Sequence, residues 1–503
     1  MSDESISKTG RREFLRQAAG TMIAGGLTAR SYGRVMGAND RIQLAQLGCG
    51  SRSMGHVNMI QLASQQTLVE TMAVCDIWSL AREARAAQVK AAFNLAPKTY
   101  KYSEEMLANK DIDGVMIATG DFQHAKLCAE VVKAGKDCYV EKPFANVLSE
   151  AKETRDVVKA SKQMVQMGSQ HRSEPYQLAV RDIVRSGRIG DICHIEQEWN
   201  VNMERWRWVS ADTGSGPSSG IGGMMAGYAS LTPAEREKML ATMGEQELAR
   251  YPDWRKELYG TPSKLREEDT DWKRWLLGKP YRPFDPHVYL EFRLYKDYSS
   301  GIFDQWMSHG SDLVHLWTDE SYPESVVANG GIFSWKDDRQ NPDTVVAAVT
   351  YPKGFLYTYK TTFGNSYRSF SRIQGRKGTI ANYGGEGASL FTVSKEGGPQ
   401  EWSGSVNYKG VPIVAPAADE EEVVIVPGAP QPDSDGPGDD SIVHAMNWLN
   451  SIRSREIPNA NVDHGFSHAI VIIMAAQSYW SGKKLYWNPQ TEEIMDHPAA
   501  KAS

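Results

Sequence analysis

The chain has few cysteines, no block of one charge and no long apolar run, and each absence excludes a class of protein. Its five cysteines, Cys49, Cys75, Cys128, Cys138 and Cys193, are odd in number and match no zinc-ligand spacing. Three lie in or beside apolar strand-like runs, so we read the set as buried thiols and not as a disulfide framework. The net charge is −6 over 503 residues with no basic cluster, which argues against nucleic acid or an anionic membrane as partner. No stretch reaches the about 20 apolar residues that a bilayer span takes. A chain of this length is expected to hold two domains.

What is present begins with Gly10-Arg11-Arg12-Glu13-Phe14-Leu15. Paired arginines followed by an uncharged, mildly apolar stretch, Gln17 to Ala29, read as a twin-arginine export address. We therefore expect residues 1–39 to be a leader, the twin-arginine export machinery to be a partner, and the mature protein to be periplasmic or otherwise extracytoplasmic. That route carries proteins already folded, so a cofactor acquired in the cytoplasm travels inside. Unpaired thiols suit a chain that folds in a reducing compartment.

Residues 40–168 alternate apolar strand-like runs with helical segments, which implies a doubly wound parallel sheet with right-handed crossovers. The first run, Ile42 to Leu47, turns through Gly48-Cys49-Gly50-Ser51-Arg52 into a predicted helix. Glycines there let the backbone approach a pyrophosphate, and the helix start offers free N–H groups to it. The third glycine comes late for a strict dinucleotide fingerprint. A second run ends at Asp76, an acid placed to bind the ribose hydroxyls of NAD. Arg52 leaves NADP open as the alternative. Further runs lead into Thr119-Gly120-Asp121 with His124 close behind, into Glu141-Lys142-Pro143-Phe144, and into Gly168 with Gln170 and His171 just after. In such a sheet ligands sit at these carboxyl ends.

With Val140-Glu141-Lys142-Pro143, Ala118-Thr119-Gly120-Asp121 and the glycine loop, the chain resembles the Gfo/Idh/MocA family of NAD(P)-dependent sugar and cyclitol oxidoreductases. Ser186-Gly187-Arg188-Ile189-Gly190 and Gln374-Gly375-Arg376-Lys377-Gly378-Thr379 extend the likeness over nearly the whole mature chain. The resemblance implies a fold of class α/β: an N-terminal Rossmann domain, here 40–168, then a C-terminal α/β domain with a large, mostly antiparallel sheet, here 169–490. It also implies a homo-oligomer and, for relatives with a twin-arginine leader, a tightly held NAD(P) cofactor. The second half fits this in part. Cys193 to Trp199 alternates as a half-buried strand does, and Thr344 to Thr350 and Phe355 to Thr362 bracket a hairpin turn. Residues 210–285 look like an insertion, with a helix predicted from Thr232 to Arg250. Glu422 to Val426 reads as an edge strand, and the far end as two helices.

The expected chemistry is oxidation at the CH–OH group of a sugar, cyclitol or glycoside. An imidazole suits the proton released, and an amine stabilises developing oxyanion charge or relays that proton. We assign these parts to His309 and Lys142, with Asp312, three residues on, orienting the imidazole. The resemblance implies Asp-x-x-x-His-x-x-Asp at this point. His309 and Asp312 match, but Gln305 stands where the upstream acid belongs and Asp304 is one residue off. Cofactor contacts are expected from Gly48, Gly50, Ser51, Arg52, Asp76, Thr119, Asp121, His124, Glu141 and Lys142. Substrate contacts are expected from Gln170, His171, Trp199, Asn200 and Arg205. No metal is expected, since His309, Asp312 and His315 fit no recognised ligand spacing. Two alternatives stay open: a glycoside-cleaving enzyme that uses transient oxidation and elimination, and a non-catalytic sugar-binding protein, which the altered residue at Gln305 favours.

Overall fold

The structure is a computed structural model that describes residues 40–202, 265–367, 369–382, 390–395, 421–425 and 439–498. The leader, most of the 210–285 insertion with its predicted helix, and Arg205 lie outside the described residues.

Six strands form the first sheet: β1 (Ile42–Leu47), β2 (Val69–Cys75), β3 (Lys98–Tyr100), β4 (Gly114–Ile117), β5 (Asp137–Val140) and β6 (Val165–Met167). Their order is β3-β2-β1-β4-β5-β6, and every pair is parallel. The central strands are apolar on both faces because helices cover both sides. Leu47 pairs with Cys75 and with Ile117, and Ile117 with Val140. That register brings Gly48, Asp76, Ala118 and Glu141 to one edge. The order reverses between β1 and β4, which opens a crevice at that edge.

The second sheet has ten strands: β7 (Ile192–Asn200), β8 (Ser325–Gly331), β9 (Thr344–Tyr351), β10 (Phe355–Thr362), β11 (Phe370–Gly375), β12 (Gly378–Asn382), β13 (Leu390–Lys395), β14 (Glu421–Ile425), β15 (Leu485–Asn488) and β16 (Glu493–Met495). Among the described residues of this sheet only β7 and β10 pair in parallel; every other pair is antiparallel. Burial alternates along β10, so Phe355, Tyr357 and Tyr359 face the core. Helices Ser308–Thr318 and Val462–Ser481 cover that face. The first approaches so closely that a Cβ on Gly310 would lie 2.3 Å from Gln197 Oε1 and 2.6 Å from the Tyr357 hydroxyl. Asn461 caps the second, its side chain accepting from the Asp463 and His464 amides.

The chain then crosses back. Helix Asp439–Ser454 packs on the first sheet, where Trp448 and Leu449 join Leu44, Met116 and Tyr139 in one cluster. Four of the five cysteines are buried free thiols. Cys193 departs from expectation: it is exposed, on an outward position of β7.

Candidate active site

A cavity of about 660 Å³ opens at the switch point of the first sheet and continues to the second domain. Its floor is the glycine loop. Gly48 has φ +88°, and a Cβ there would lie 2.6 Å from the Ala118 carbonyl oxygen, so the tight turn requires glycine. Gly50 lines the cavity, and a Cβ on it would meet no atom of the described residues within 4 Å. It heads helix Ser51–Ala63, which has neither a side-chain cap nor an acid in its first turn. The free N–H groups of that turn suit a pyrophosphate.

Two carboxylates brace this floor. Asp76 accepts from the Cys49 amide at 2.6 Å and from the Trp78 amide at 2.8 Å, and burial raises its carboxyl above the usual range. Glu141 accepts from the Arg52 guanidinium and lies 2.9 Å from His56 Nε2. Burial alone would raise the Glu141 carboxyl, but Arg52 and then His56 hold it well below the usual range. Arg52 bonds Glu141 through Nε, and its part-exposed side chain lines the cavity. His124 spans the Pro143 carbonyl oxygen, 2.8 Å from Nδ1, and that of Thr119, 3.3 Å from Nε2. It ties two strand-end loops together, and burial lowers its affinity for a proton.

Where the two domains meet, Lys142 and His309 line the same cavity with Gln170, Gln305, Trp199 and Trp306. Lys142 donates to the Gln305 backbone carbonyl at 2.7 Å. Burial pushes its amine down to about 8, against the pull of Glu141 and Asp121. Burial first, then Lys142 and His171, holds the His309 imidazole well below its ordinary value, so it is neutral near pH 7. Trp199 and Trp306 stack with ring centres 4.7 Å apart.

Two expected roles need correction. Asp312 shares the helix with His309, but its carboxylate takes the Arg172 guanidinium at 2.9 Å, and the described residues show no hydrogen bond from it to His309. Three-residue spacing puts both on one helical face, yet the buried Arg172 is the stronger partner. The ring beside His309 is that of His171, which is paired with Glu174. Asn200 lies outside the cavity. Its side chain donates to the Tyr367 carbonyl oxygen at 3.1 Å and accepts from the Thr362 amide, closing the end of β7.

Residues 42–169 match the family model "Oxidoreductase family, NAD-binding Rossmann fold", and residues 274–381 match "GFO/IDH/MocA C-terminal domain". The chain carries both domains of the GFO/IDH/MocA oxidoreductases. It is similar to the rhizopine catabolism protein MocA of Rhizobium meliloti, 30% identical over 155 residues, which is 30% of this chain and 45% of that protein. It is also similar to a glycosyl hydrolase family 109 protein of Shewanella sp. (strain W3-18-1), 24% identical over 278 residues, 48% of this chain and 59% of that one. The chain spans about half the length of the curated relatives it matches. Its fold is like that of levoglucosan dehydrogenase, solved with NADH and levoglucosan. The TM-score is 0.59 at 16% identity, covering 89% of this chain and 99% of that one.

The cavity also includes residues that sequence reasoning missed. Arg274, Trp275 and Leu277, at the end of the insertion, close its outer side with Tyr289 and Phe292. Trp275 packs against Phe122, and the Gln123 amide donates to its carbonyl at 2.6 Å. The aromatic spacing of Trp272 and Trp275 was the only sequence signal for this wall. Arg293 also lines the cavity, 3.9 Å from Asp121.

Proposed function

We propose that the protein is an exported oxidoreductase acting on the CH–OH group of a sugar, cyclitol or glycoside, with NAD tightly held. The observation that carries this reading is one cavity with a glycine loop at one end and Lys142 and His309 at the other. The loop residues, the uncapped helix start and Asp76 would hold the dinucleotide. Bound NAD supplies the two-electron acceptor. His309, neutral near pH 7, takes the hydroxyl proton, and Lys142 steadies the oxygen as charge builds on it. The stacked tryptophans offer an apolar face to sugar C–H groups.

The purified full-length protein should carry nicotinamide through gel filtration. Its absorbance should change when a panel that includes levoglucosan and myo-inositol is added. Lys142→Ala should keep the nucleotide and lose about 10²-fold or more in turnover. A nucleotide signal unmoved by every panel member would favour the sugar-binding alternative.

A second reading is glycoside cleavage by transient oxidation. The likeness to a glycosyl hydrolase family 109 protein over 48% of this chain supports it. Oxidation of one carbinol acidifies the neighbouring C–H, loss of that proton expels the glycosidic group, water adds across the resulting double bond, and return of the two electrons to the carbonyl closes the cycle. Release of nitrophenol from nitrophenyl glycosides with no net change in nicotinamide would select this reading.

Export is supported by Arg11 and Arg12. Replacing both with lysine should retain the protein in the cytoplasmic fraction of a host that has the twin-arginine system. We also propose a homo-oligomer, to be checked by light scattering of the mature protein.

A further inference from the structure

Gln305 occupies the position, four residues before His309, where an acid belongs in the related pattern. The five-residue π-turn Phe303–Met307 decides what faces the cavity. Gln305 and Trp306 line it, while Asp304 lies behind the wall, fully buried, bonded to the Ser300 amide and 3.3 Å from the Ser299 hydroxyl.

We propose that Gln305 is the positioning residue of Lys142, and that Asp121 fixes which way its amide faces. Lys142 donates to the Gln305 backbone carbonyl oxygen at 2.7 Å and reaches the side-chain amide oxygen Oε1 at 3.4 Å. The other end of the same amide, Nε2, donates to Asp121 Oδ2, which also accepts from Ser299 Oγ at 2.7 Å. An amide has one accepting and one donating end. Turned over, it would set NH₂ against an ammonium and a carbonyl against a carboxyl oxygen, so only one orientation is stable. A carboxylate at 305 would instead bond Lys142 as an ion and stand against Asp121 in a buried site. The amide is therefore the side chain that bridges this amine to this carboxyl without charge. Asn341 stiffens the support, donating to the Ser299 carbonyl at 2.7 Å.

The charged and titratable groups acting on Lys142 come from every surrounding element. They are Glu141 beside it, Asp121, Asp304 and Arg293 behind it, Arg52 from the glycine loop and His309 across the cavity. Burial and Asp121 raise the Asp304 carboxyl to about 7.

The inference rests on the oxidoreductase reading only for the statement that Lys142 meets substrate, so its test does not require turnover. In the full-length protein as purified, the rate of Lys142 acetylation by acetic anhydride is followed against pH by peptide mass spectrometry. Wild type should titrate below an ordinary lysine. Gln305→Glu should move the midpoint up by about one unit or more, since an ion pair favours the ammonium. Gln305→Met, which removes the side-chain acceptor and keeps the backbone one, should move it down. On any panel substrate that is turned over, Gln305→Met should lower kcat about tenfold and spare KM. Should Gln305→Glu fail to fold, Gln305→Met alone decides. Midpoints equal to wild type in the folded variants would overturn the proposal, whatever the enzyme's substrate proves to be.

Discussion

The ring of His171 stands edge-on to that of His309, with centres 4.7 Å apart, and its Nδ1 is paired with Glu174. This places a carboxylate–imidazole pair beside His309 and leaves Asp312 to Arg172. The first consequence concerns pH. His309 must be neutral to accept a proton, and burial, Lys142 and His171 all depress its protonation. On the His309 side, activity is therefore lost as pH falls through a value below about 6.5, the ordinary imidazole figure. The pH profile of kcat/KM should have its acid limb below that point, and His309→Ala should lose the limb and about 10²-fold or more in rate. A limb centred at 7 or higher would contradict the assignment.

The glycine loop yields a paired test. Gly48→Ala forces a Cβ to 2.6 Å from the Ala118 carbonyl at φ +88°. It should cost about 2 kcal/mol or more in urea unfolding and release the nucleotide. Gly50→Ala meets no atom of the described residues within 4 Å. It should leave stability within about 1 kcal/mol and still weaken nucleotide retention, because its methyl enters the space we propose for the pyrophosphate. Equal retention by wild type and Gly50→Ala would place the pyrophosphate elsewhere.

Asp76 ends β2 with its carboxylate braced by two amides, and Arg52 bonds Glu141 through Nε. NAD should bind in preference to NADP. Both Asp76 oxygens accept backbone amides, so Asp76→Asn removes the charge and also sets its NH₂ against one of those donors; it should shift the NAD to NADP preference about tenfold toward NADP. Competition between the two nucleotides, followed by tryptophan fluorescence, measures it.

Buried imidazoles set the acid stability. Burial pushes His315 down to about 3, and His444 and His464 to about 4. In the unfolded chain each titrates near about 6.5. Between those values the unfolded state binds protons that the folded state does not. Stability is therefore full above about 6.5 and falls as pH drops toward 4, by up to about 1.4 kcal/mol per imidazole per pH unit. The urea midpoint should be clearly lower at pH 5 than at pH 7.5. A midpoint that does not move would show that these rings are solvated.

Much of this was legible in the sequence because the first sheet is written in long apolar runs, each ended by a polar strand-end motif. Asp76, Thr119, Asp121, Glu141 and Lys142 follow directly from that pattern. Strand β3 was not legible: Lys98 and Thr99 are exposed, so it lacks the apolar signal of a buried strand. The partner of Asp312 was not legible either, since Arg172 is 140 residues away and spacing reports only neighbours along a helix. The π-turn escaped for a related reason. Periodicity counts residues per turn, and one altered turn changes whether Asp304 or Gln305 reaches the cavity. Asn200 was misread because a polar residue at a strand end serves the sheet as readily as a ligand.

The placement of helix Asp439–Ser454 bears on how the protein is made. All six strands of the first sheet leave the ribosome before β7, yet the helix that seals Leu44, Met116 and Tyr139 emerges almost last. While β7 to β14 are made, that flank is covered by Met59, Ile60 and Ala63 of helix Ser51–Ala63 but still lacks Trp448 and Leu449. A premature stop before residue 439 would leave Leu44, Met116 and Tyr139 without Trp448 and Leu449, a product prone to clump.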